Sequence, residues 1–340
     1  MNFDKLSRIA LRVATITGVL AACGAATARA ETVKLGIVKT ASTAGVFIAI
    51  EKGYFAAEGL TAELYYFDAS EPIAVAVVSG AIDFGVTGLT GGMYSLAGQG
   101  ALRIIAGQHR EAPGFHSQAY LASNHAYEAG LKAPKDIAGH SFAITQIGST
   151  THYALGLLAE KYGFDLKVMR LQPLATISNM ISATSGGQVD AMIATGTAAL
   201  VPVRKGDAKL LGWVGDETPW QLGAVFTTTA VANNRRDTVE RFVRAWRKST
   251  EAYHDAFTGT GEVRQDGPAA PEILAIIAKY TGQPAEQVNE TISYYDREGA
   301  LDVKDVLHQI AWYKAQNLLK GPIDGDVLID KRYAIASPAR

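Results

Sequence analysis

The chain has 340 residues, of which 48% are hydrophobic and 19% charged, and its formal net charge is −1. This is ordinary globular composition, and the length is typical of about two domains. The near-neutral charge excludes a broad nucleic-acid footprint, because phosphate binding needs clustered Lys and Arg side chains. No internal apolar stretch reaches the roughly 20 residues that a membrane-spanning helix needs.

The N-terminus shows the features of an export signal in their usual order. Three basic side chains precede an apolar segment at residues 13–22, and residues 28–30 (ARA) form a small-x-small cleavage site. We therefore expect residues 1–30 to be a signal peptide and the mature chain to begin at Glu31.

Residues 20–23 (LAAC) offer a second possibility, because they resemble the lipobox of bacterial lipoproteins. A lipid on Cys23 would tether the protein to a membrane, but we favour soluble release after residue 30. Cys23 is the only cysteine, so disulfides, cysteine nucleophiles and cysteine-rich metal sites are excluded from the mature domain.

The alternation of apolar and polar residues predicts a strand at 32–38, a helix at 44–52 and a strand at 62–67. Such a β-α-β unit implies parallel strands with a crossover helix. The same order returns with a strand at 141–145, a helix at 152–161 and a strand at 166–171.

Two pairs of short segments match at nearly one spacing. Residues 51–55 (EKGYF) resemble residues 160–164 (EKYGF), which begin 109 positions later. Residues 79–83 (SGAID) resemble residues 186–190 (GGQVD), which begin 107 positions later. We interpret the matches as two α/β lobes of like construction, although β-α units also resemble one another by chance.

The last third of the chain is predicted to be largely helical. A strand at 225–229 is expected to cross back between the lobes. Helices are predicted at 238–257, 271–281, 284–294 and 303–319.

A ligand is expected at the carboxyl ends of the parallel strands, where open α/β sheets bind ligands. The loops at these ends are rich in Ser, Thr and Gly, and several of them open helices, whose free N–H groups attract anions. The alternative is that Ser42, Ser70 and Thr150 only cap their helices. These loops lie at residues 40–43, 69–70, 87–90, 148–152 and 195–197.

Three further side chains are candidates for the same cleft. His109 follows the predicted strand at 102–106 and lies either in the cleft or in a solvated loop. His152 opens a helix and faces either an anion or solvent. Trp213, like Trp220 and Tyr94, either stacks on a planar ligand or packs in the core.

Catalytic and metal signatures are absent from the sequence. The common hydrolase, nucleotide-binding and metalloprotease motifs are missing, and the seven histidines show no metal spacing. We therefore predict no catalytic residues, no metal and no cofactor. Asp83 and Asp190 precede their strands in both halves and are expected to stabilise turns.

These segments resemble a known family. Residues 51–60 (EKGYFAAEGL) and 79–85 (SGAIDFG) are similar to motifs of the nitrate/sulfonate/taurine-type solute-binding proteins, a group that includes thiamine-precursor (NMT1/THI5-like) binders. The resemblance runs from about residue 33 to residue 333. By position it carries over eight cleft candidates: Ser42, Thr43, Ser70, Thr87, Thr90, Ser149, Thr150 and Thr195.

The resemblance implies a type II periplasmic-binding-protein fold of class α/β, with two lobes, a two-strand hinge and a helical C-terminal region. It also implies delivery of a ligand to an ABC permease. We expect lobe 1 to comprise residues 31–120 and 223–340, and lobe 2 to comprise residues 121–222. We expect a periplasmic monomer that binds no nucleic acid.

The loops favour a small anionic organic ligand, such as a sulfonate, a carboxylate or an aromatic acid stacked on an aromatic side chain. Three alternatives stay open: a thiamine-pyrimidine-precursor binder, a biosynthetic enzyme of the same fold, and a sensor module that presents its ligand to a membrane kinase.

Overall fold

The structure, a computed structural model, describes residues 30–337. The chain forms two α/β lobes, each built on a five-stranded sheet with helices packed against it. Cys23 and all of the predicted signal peptide except Ala30 lie outside the described residues. None of the helices between residues 30 and 337 combines the length and apolar character needed to cross a bilayer.

The first sheet has the strand order β2-β1-β3-β11-β4. Its strands are β1 (Glu31–Val38), β2 (Leu60–Phe67), β3 (Phe84–Gly88), β4 (Leu102–Gly107) and β11 (Gly223–Thr228). The helices between its first four strands are α1 (Ala44–Glu51), α2 (Tyr54–Ala57), α3 (Glu71–Val78) and α4 (Gly91–Gly98).

The second sheet has the strand order β10-β6-β9-β7-β8. Its strands are β6 (Gln118–Ser123), β7 (Ser141–Ile144), β8 (Arg170–Pro173), β9 (Ala191–Thr195) and β10 (Ala208–Trp213). Its helices are α5 (Asn124–Glu128), α6 (Thr150–Tyr162), α7 (Ile177–Ser185), α8 (Gly196–Lys205) and α9 (Val214–Glu217).

The C-terminal third returns to the first sheet and is mainly helical, as predicted. Its longest helix, α11, buries an apolar stripe that includes Phe242 and Trp246 against the first lobe. The elements of this region are α10 (Thr229–Asn234), α11 (Arg236–Phe257), α12 (Ala270–Thr281), α13 (Ala285–Asn289), α14 (Val303–Ala315) and α15 (Gly325–Leu328).

The two sheets have the same pattern of strand pairing. In the first, β1 pairs in parallel with β2 and β3, and β11 runs antiparallel between β3 and β4. In the second, β7 pairs in parallel with β8 and β9, and β6 runs antiparallel between β9 and β10. The two-lobe α/β architecture expected from the repeated segments is confirmed.

Two segments, at residues 108–117 and 218–222, connect the lobes. Glu111 and Trp220 exchange backbone hydrogen bonds, at 2.9 Å from Glu111 N and 3.2 Å from Trp220 N. On the first segment, β5 (His109–Arg110) also pairs with β12 (Tyr294–Tyr295) from the C-terminal region. These paired segments are the expected two-strand hinge.

Four predicted elements differ from the structure. The helix expected at 303–319 ends at Ala315, and the strand expected to cross between the lobes at 225–229 is β11, inside the first sheet. The strand expected at 166–171 begins only at Arg170, because the Asp165 side chain accepts a hydrogen bond from Lys167 N at 2.9 Å and opens a 3₁₀ turn instead. The helix expected at 284–294 ends at Asn289. Tyr294 and Tyr295 are buried and form β12, as suits aromatic residues with a strand partner.

Candidate ligand-binding site

A cavity lies between the two lobes, at the carboxyl ends of their parallel strands. Its volume is about 80 Å³, which is room for roughly six waters or for an organic molecule of a few heavy atoms. The described residues that line it are Val38, Thr40, Ser42, Thr43, Asp68, Ala69, Ser70, Glu71, Thr87, Gly88, Gln108, His109, Gln118, Thr145, Thr150, Thr151, Ile177, Thr195 and Leu222.

The cavity brings together residues that lie far apart in the sequence. Five helices begin beside it, namely α1, α3, α6, α7 and α8, so the N–H groups of their first turns lie near this region. Seven of the eleven predicted site residues line the cavity: Ser42, Thr43, Ser70, Thr87, His109, Thr150 and Thr195. Their role in ligand binding stays a prediction.

The hydroxyls at the cavity are not helix caps. Thr43, Ser70 and Thr195 each stand directly before a helix, and none of them accepts a capping hydrogen bond. The Thr87 hydroxyl donates to Ser70 Oγ at 2.8 Å, which leaves the Ser70 proton available to another acceptor. The capping alternative therefore fails for Ser70. It also fails for Ser42 and Thr150, which lie within the first turns of their helical segments and not at the cap positions.

Two other predicted site residues do cap helices and do not line the cavity, which corrects the expected site. Thr90 Oγ1 accepts a hydrogen bond from Met93 N, and Ser149 Oγ accepts one from His152 N, each at 3.2 Å. Both side chains are buried as helix caps outside the cavity lining.

His152 and Trp213 are corrections as well. His152 lies in neither the cavity nor solvent: its Nδ1 accepts a hydrogen bond from Gly148 N at 3.1 Å, and its ring packs edge-on to Trp312. Burial lowers the pKa of His152 to about 4. Trp213 stacks on His116 with ring centroids 4.2 Å apart, in a separate surface groove.

The other two aromatic candidates also pack elsewhere. Trp220 is buried and lies edge-on to Tyr153, and the Tyr94 hydroxyl donates to Gln309 Oε1 at 2.9 Å. No Phe, Tyr or Trp is among the described residues that line the cavity. The expected stacking on an aromatic side chain is therefore absent from this lining.

The hinge contributes two polar groups that were not predicted from the sequence, Gln108 and Gln118, beside the predicted His109. Gln108, His109 and Gln118 lie in or beside the first connecting segment, are at most 4% exposed and line the cavity. Gln108 Oε1, His109 Nδ1 and Gln118 Oε1 have no hydrogen-bond partner in the protein. Burial lowers the pKa of His109 to about 3, so its ring is neutral at physiological pH.

The charged lining residues are acidic. Glu71 and Asp68 line the cavity, whereas no Lys or Arg is among its described lining residues. Burial raises the pKa of Glu71 above its usual value, and a hydrogen bond from the Thr145 hydroxyl at 3.1 Å only partly opposes this. A ligand in this cavity therefore meets carboxylates rather than cationic side chains.

The lobes touch at the cavity's edge. Gly91 N donates to Gly148 O at 2.9 Å, and Thr145 on one lobe bonds to Glu71 on the other. A Cβ atom on Gly88 would lie 2.6 Å from Thr150 Cγ2. The absence of a side chain at Gly88 thus permits the lobes to approach this closely.

A wider outer chamber adjoins the cavity. Its volume is about 240 Å³. The lining residues that it shares with the inner cavity are Val38, Thr40, Ser42, Asp68, Ile177 and Thr195. Lys39 is the one cationic side chain among its described lining residues. The inner cavity therefore has a continuation in which the rest of a longer ligand fits.

Two like α/β lobes that enclose a small polar cavity at their facing edges define a periplasmic-binding-protein fold. A family model described as NMT1/THI5 like matches residues 40–256, more than half of the chain. The chain belongs to the NMT1/THI5-like family.

Solved structures with the same fold include three that bind solutes. One is the ligand-binding component of an ABC-type import system from Staphylococcus aureus, with zinc bound (14% identity, TM-score 0.71, 89% of this chain and 97% of that chain). Another is the periplasmic aliphatic sulphonate binding protein SsuA from Escherichia coli (16%, TM-score 0.67, 91% and 95%). A third is the periplasmic nitrate-binding protein NrtA from Synechocystis PCC 6803 (15%, TM-score 0.68, 87% and 84%).

At sequence identities of 14–16%, structural similarity shows that the fold is shared and nothing more. The desulfurization enzyme DszB shares it too (13%, TM-score 0.59, 90% of this chain and 96% of that chain). The fold by itself does not separate binding proteins from enzymes. No curated protein sequence matches the chain.

Proposed function

We propose that this protein is the solute-binding component of an ABC importer, which captures a small organic molecule between its lobes and presents the closed form to a membrane permease. The observation that carries the proposal is the interlobe cavity, whose uncapped hydroxyls come from both lobes. The fold neighbour that is the ligand-binding component of an ABC-type import system supports it, as does the periplasmic sulphonate-binding protein of the same fold.

The location and organisation follow from the same proposal. The chain is exported on residues 1–30 and acts in the periplasm as a monomer. Lobe 1 comprises residues 31–120 and 223–340, and lobe 2 comprises residues 121–222. The lipobox-like segment makes retention through Cys23 the alternative to soluble release, and mass spectrometry of the mature N-terminus distinguishes the two.

The charge of the ligand is where the sequence and the structure diverge. Helix starts favour an anion, as the sequence analysis predicts. The carboxyl groups of Glu71 and Asp68 oppose one, because like charges close together repel each other. The proposal therefore specifies a small organic solute and does not depend on a negative charge.

The test is a thermal-shift and calorimetric screen of small carboxylates, sulfonates, amines, amides and pyrimidines on the mature protein. A true solute raises the melting temperature, since it binds only the folded state. It also reduces the radius of gyration in X-ray scattering, because it binds the closed form better. Binding without compaction, or no binder in any class, contradicts the proposal.

A same-fold enzyme is the alternative, and DszB is the observation in its favour. An enzyme would convert a bound molecule, whereas a binding protein would return it unchanged. Mass spectrometry of the bound molecule after prolonged incubation with the protein separates the two functions.

A further inference from the structure

Several hydrogen-bond acceptors in the lining of the inner cavity have no donor partner in the described part of the protein. The cavity's carboxyl group at Glu71, its two buried amide oxygens and its neutral histidine ring meet no cationic side chain within the described lining. A buried acceptor without a partner is costly, and a ligand that donates to it removes that cost.

Glu71 is the main charged group of this set. It is the first residue of α3 and is half-buried, and its Oε1 accepts a hydrogen bond from Thr145 Oγ1 at 3.1 Å. Among the described residues, no Lys, Arg or His forms an ion pair with it. An anionic ligand here would add repulsion, whereas an ammonium or amide group would supply the missing donor.

Gln118 is the clearest buried amide without a partner. It is the first residue of β6 and 3% exposed, and its Oε1 has no partner in the protein. Gln108 has a fixed orientation, because its Nε2 donates to Ser42 O at 3.1 Å, and a flipped amide would set two oxygens against each other. Its unpartnered Oε1 is therefore an acceptor as well.

The shape of the cavity limits the ligand further. The only ring in its described lining is that of His109. A volume of about 80 Å³ with no aromatic face on either side suits a short aliphatic group better than a flat ring.

We propose that the ligand carries a non-aromatic head with hydrogen-bond donors, an ammonium or a carboxamide, which Glu71 and Gln118 bind in the inner cavity. This inference rests on the proposed function, and it replaces the expected anion by a donor-bearing head. Any longer tail extends into the outer chamber past Asp68 and Thr195.

The test uses five probes of similar size with different heads: butylammonium, butanamide, butanoate, butane-1-sulfonate and 4-aminopyrimidine. The mature protein is assayed with each by thermal shift and calorimetry, and by X-ray scattering for compaction. We expect butylammonium and butanamide to bind and to compact the protein. We expect the two anions and the aromatic ring to bind at least tenfold more weakly.

Two variants locate the head. Glu71→Gln is expected to lower affinity for butylammonium at least tenfold and affinity for butanamide less than threefold, because only the ammonium needs the negative charge. Gln118→Met is expected to lower the affinity for butanamide at least threefold. Glu128→Gln removes an exposed carboxylate of α5 and is expected to change neither affinity. Circular dichroism checks that each variant folds.

The possible outcomes distinguish failure of the head-group assignment from failure of the proposed binding function. Suppose that butanoate or butanesulfonate binds and compacts the protein, whereas butylammonium and butanamide do not. The head-group assignment is then overturned, and the proposed binding function stands. If Glu71→Gln and Gln118→Met both fold and leave all affinities unchanged, the assignment is likewise overturned. If no probe binds and nothing compacts, the inference and the proposed function fail together.

Discussion

At the scale of single residues, two aspartates hold the same turn in the two lobes. Asp83 Oδ2 accepts a hydrogen bond from Lys34 N, and Asp190 Oδ2 accepts one from Ser141 N, each at 2.8 Å and each across 49 positions. Each aspartate thereby ties the turn before β3 or β9 to the start of the neighbouring parallel strand. This agrees with the turn-stabilising role predicted for both.

Asp190→Ala is expected to lower the free energy of unfolding by about 1–3 kcal/mol at pH 7, because it leaves Ser141 N–H without its acceptor. Burial raises the pKa of Asp190, but hydrogen bonds from Ser141 outweigh this and hold it below 3.8. The contribution is therefore present above pH 3.8 and lost as the pH falls through the lower folded-state pKa. Urea denaturation at pH 7 and pH 3 measures it. An equal loss in the exposed Asp207→Ala would contradict this account.

Glu111, in the hinge, has the opposite pH dependence. It is 1% exposed, and neither carboxyl oxygen accepts a hydrogen bond of normal geometry. Burial raises its pKa from 4.5 to about 8, although the nearby Ser117 hydroxyl lowers it somewhat. The folded protein thus keeps this proton over a pH range in which the unfolded chain has released it.

The free energy of unfolding is therefore expected to fall between about pH 5 and pH 8, by up to about 1.4 kcal/mol per pH unit from this group. Glu111→Gln removes the titrating group and is expected to flatten that slope. Denaturant unfolding at pH 5, 6.5 and 8 measures the effect, with the exposed Glu128→Gln as the control. An unchanged slope in Glu111→Gln would show that another group causes it.

At the scale of elements, the sequence predicts what depends on local pattern. Strands β1 and β7 and helices α1 and α11 lie within two residues of their expected ends, because alternation and apolar stripes are properties of neighbouring residues. The hydroxyl loops at the strand ends meet at one edge, since parallel strands end on the same side of a sheet.

The Gln and Glu side chains of the cavity were harder to predict from the sequence than its Ser and Thr side chains. Nothing in the sequence distinguishes Gln118 from a solvated loop residue, because its burial depends on the pairing of β6 with the distant strand β9, where Gln118 lies opposite Thr195. Glu71 likewise looks like an ordinary acidic first-turn residue. Which hydroxyls cap their helices depends on side-chain rotamers, so Ser149 and Ser70 look alike in sequence and differ in the structure.

The hinge depends on a glycine at which α9 approaches the first connecting segment. A Cβ atom on Gly215 would lie 2.4 Å from Ala112 O, a backbone atom that cannot rotate away. Gly215→Ala is expected to cost about 1–3 kcal/mol of folding free energy through this clash. Gly92→Ala is the control, because its Cβ would meet only Thr90 Oγ1 at 3.9 Å. Thermal unfolding compares the two, and equal stability would contradict the clash.

At the scale of the whole molecule, function depends on the balance between open and closed lobes. Polar contacts hold the closed form at the cavity, among them the bond from Thr145 Oγ1 to Glu71 Oε1 and the backbone bond from Gly91 to Gly148. Away from the cavity, apolar side chains of both lobes also share one buried cluster, which includes Tyr94 and Tyr153. A ligand shifts this balance only by as much as it prefers the closed form. Weakening an interlobe contact therefore lowers apparent affinity even where the contact is not with the ligand.

Thr145→Val tests this coupling, because it keeps the shape of the side chain and removes the hydroxyl that reaches Glu71. A hydrogen bond to a carboxylate contributes about 1.5–3 kcal/mol, so we expect apparent affinity to fall by roughly ten- to a hundredfold. The ligand-free melting temperature should change little, since the substitution leaves the buried apolar clusters intact. Calorimetry with the strongest binder of the screen measures affinity, and X-ray scattering measures compaction.

Thr61→Val, on the exposed side of β2, is the control. Undiminished affinity and compaction in Thr145→Val would mean that this bond does not hold the lobes together.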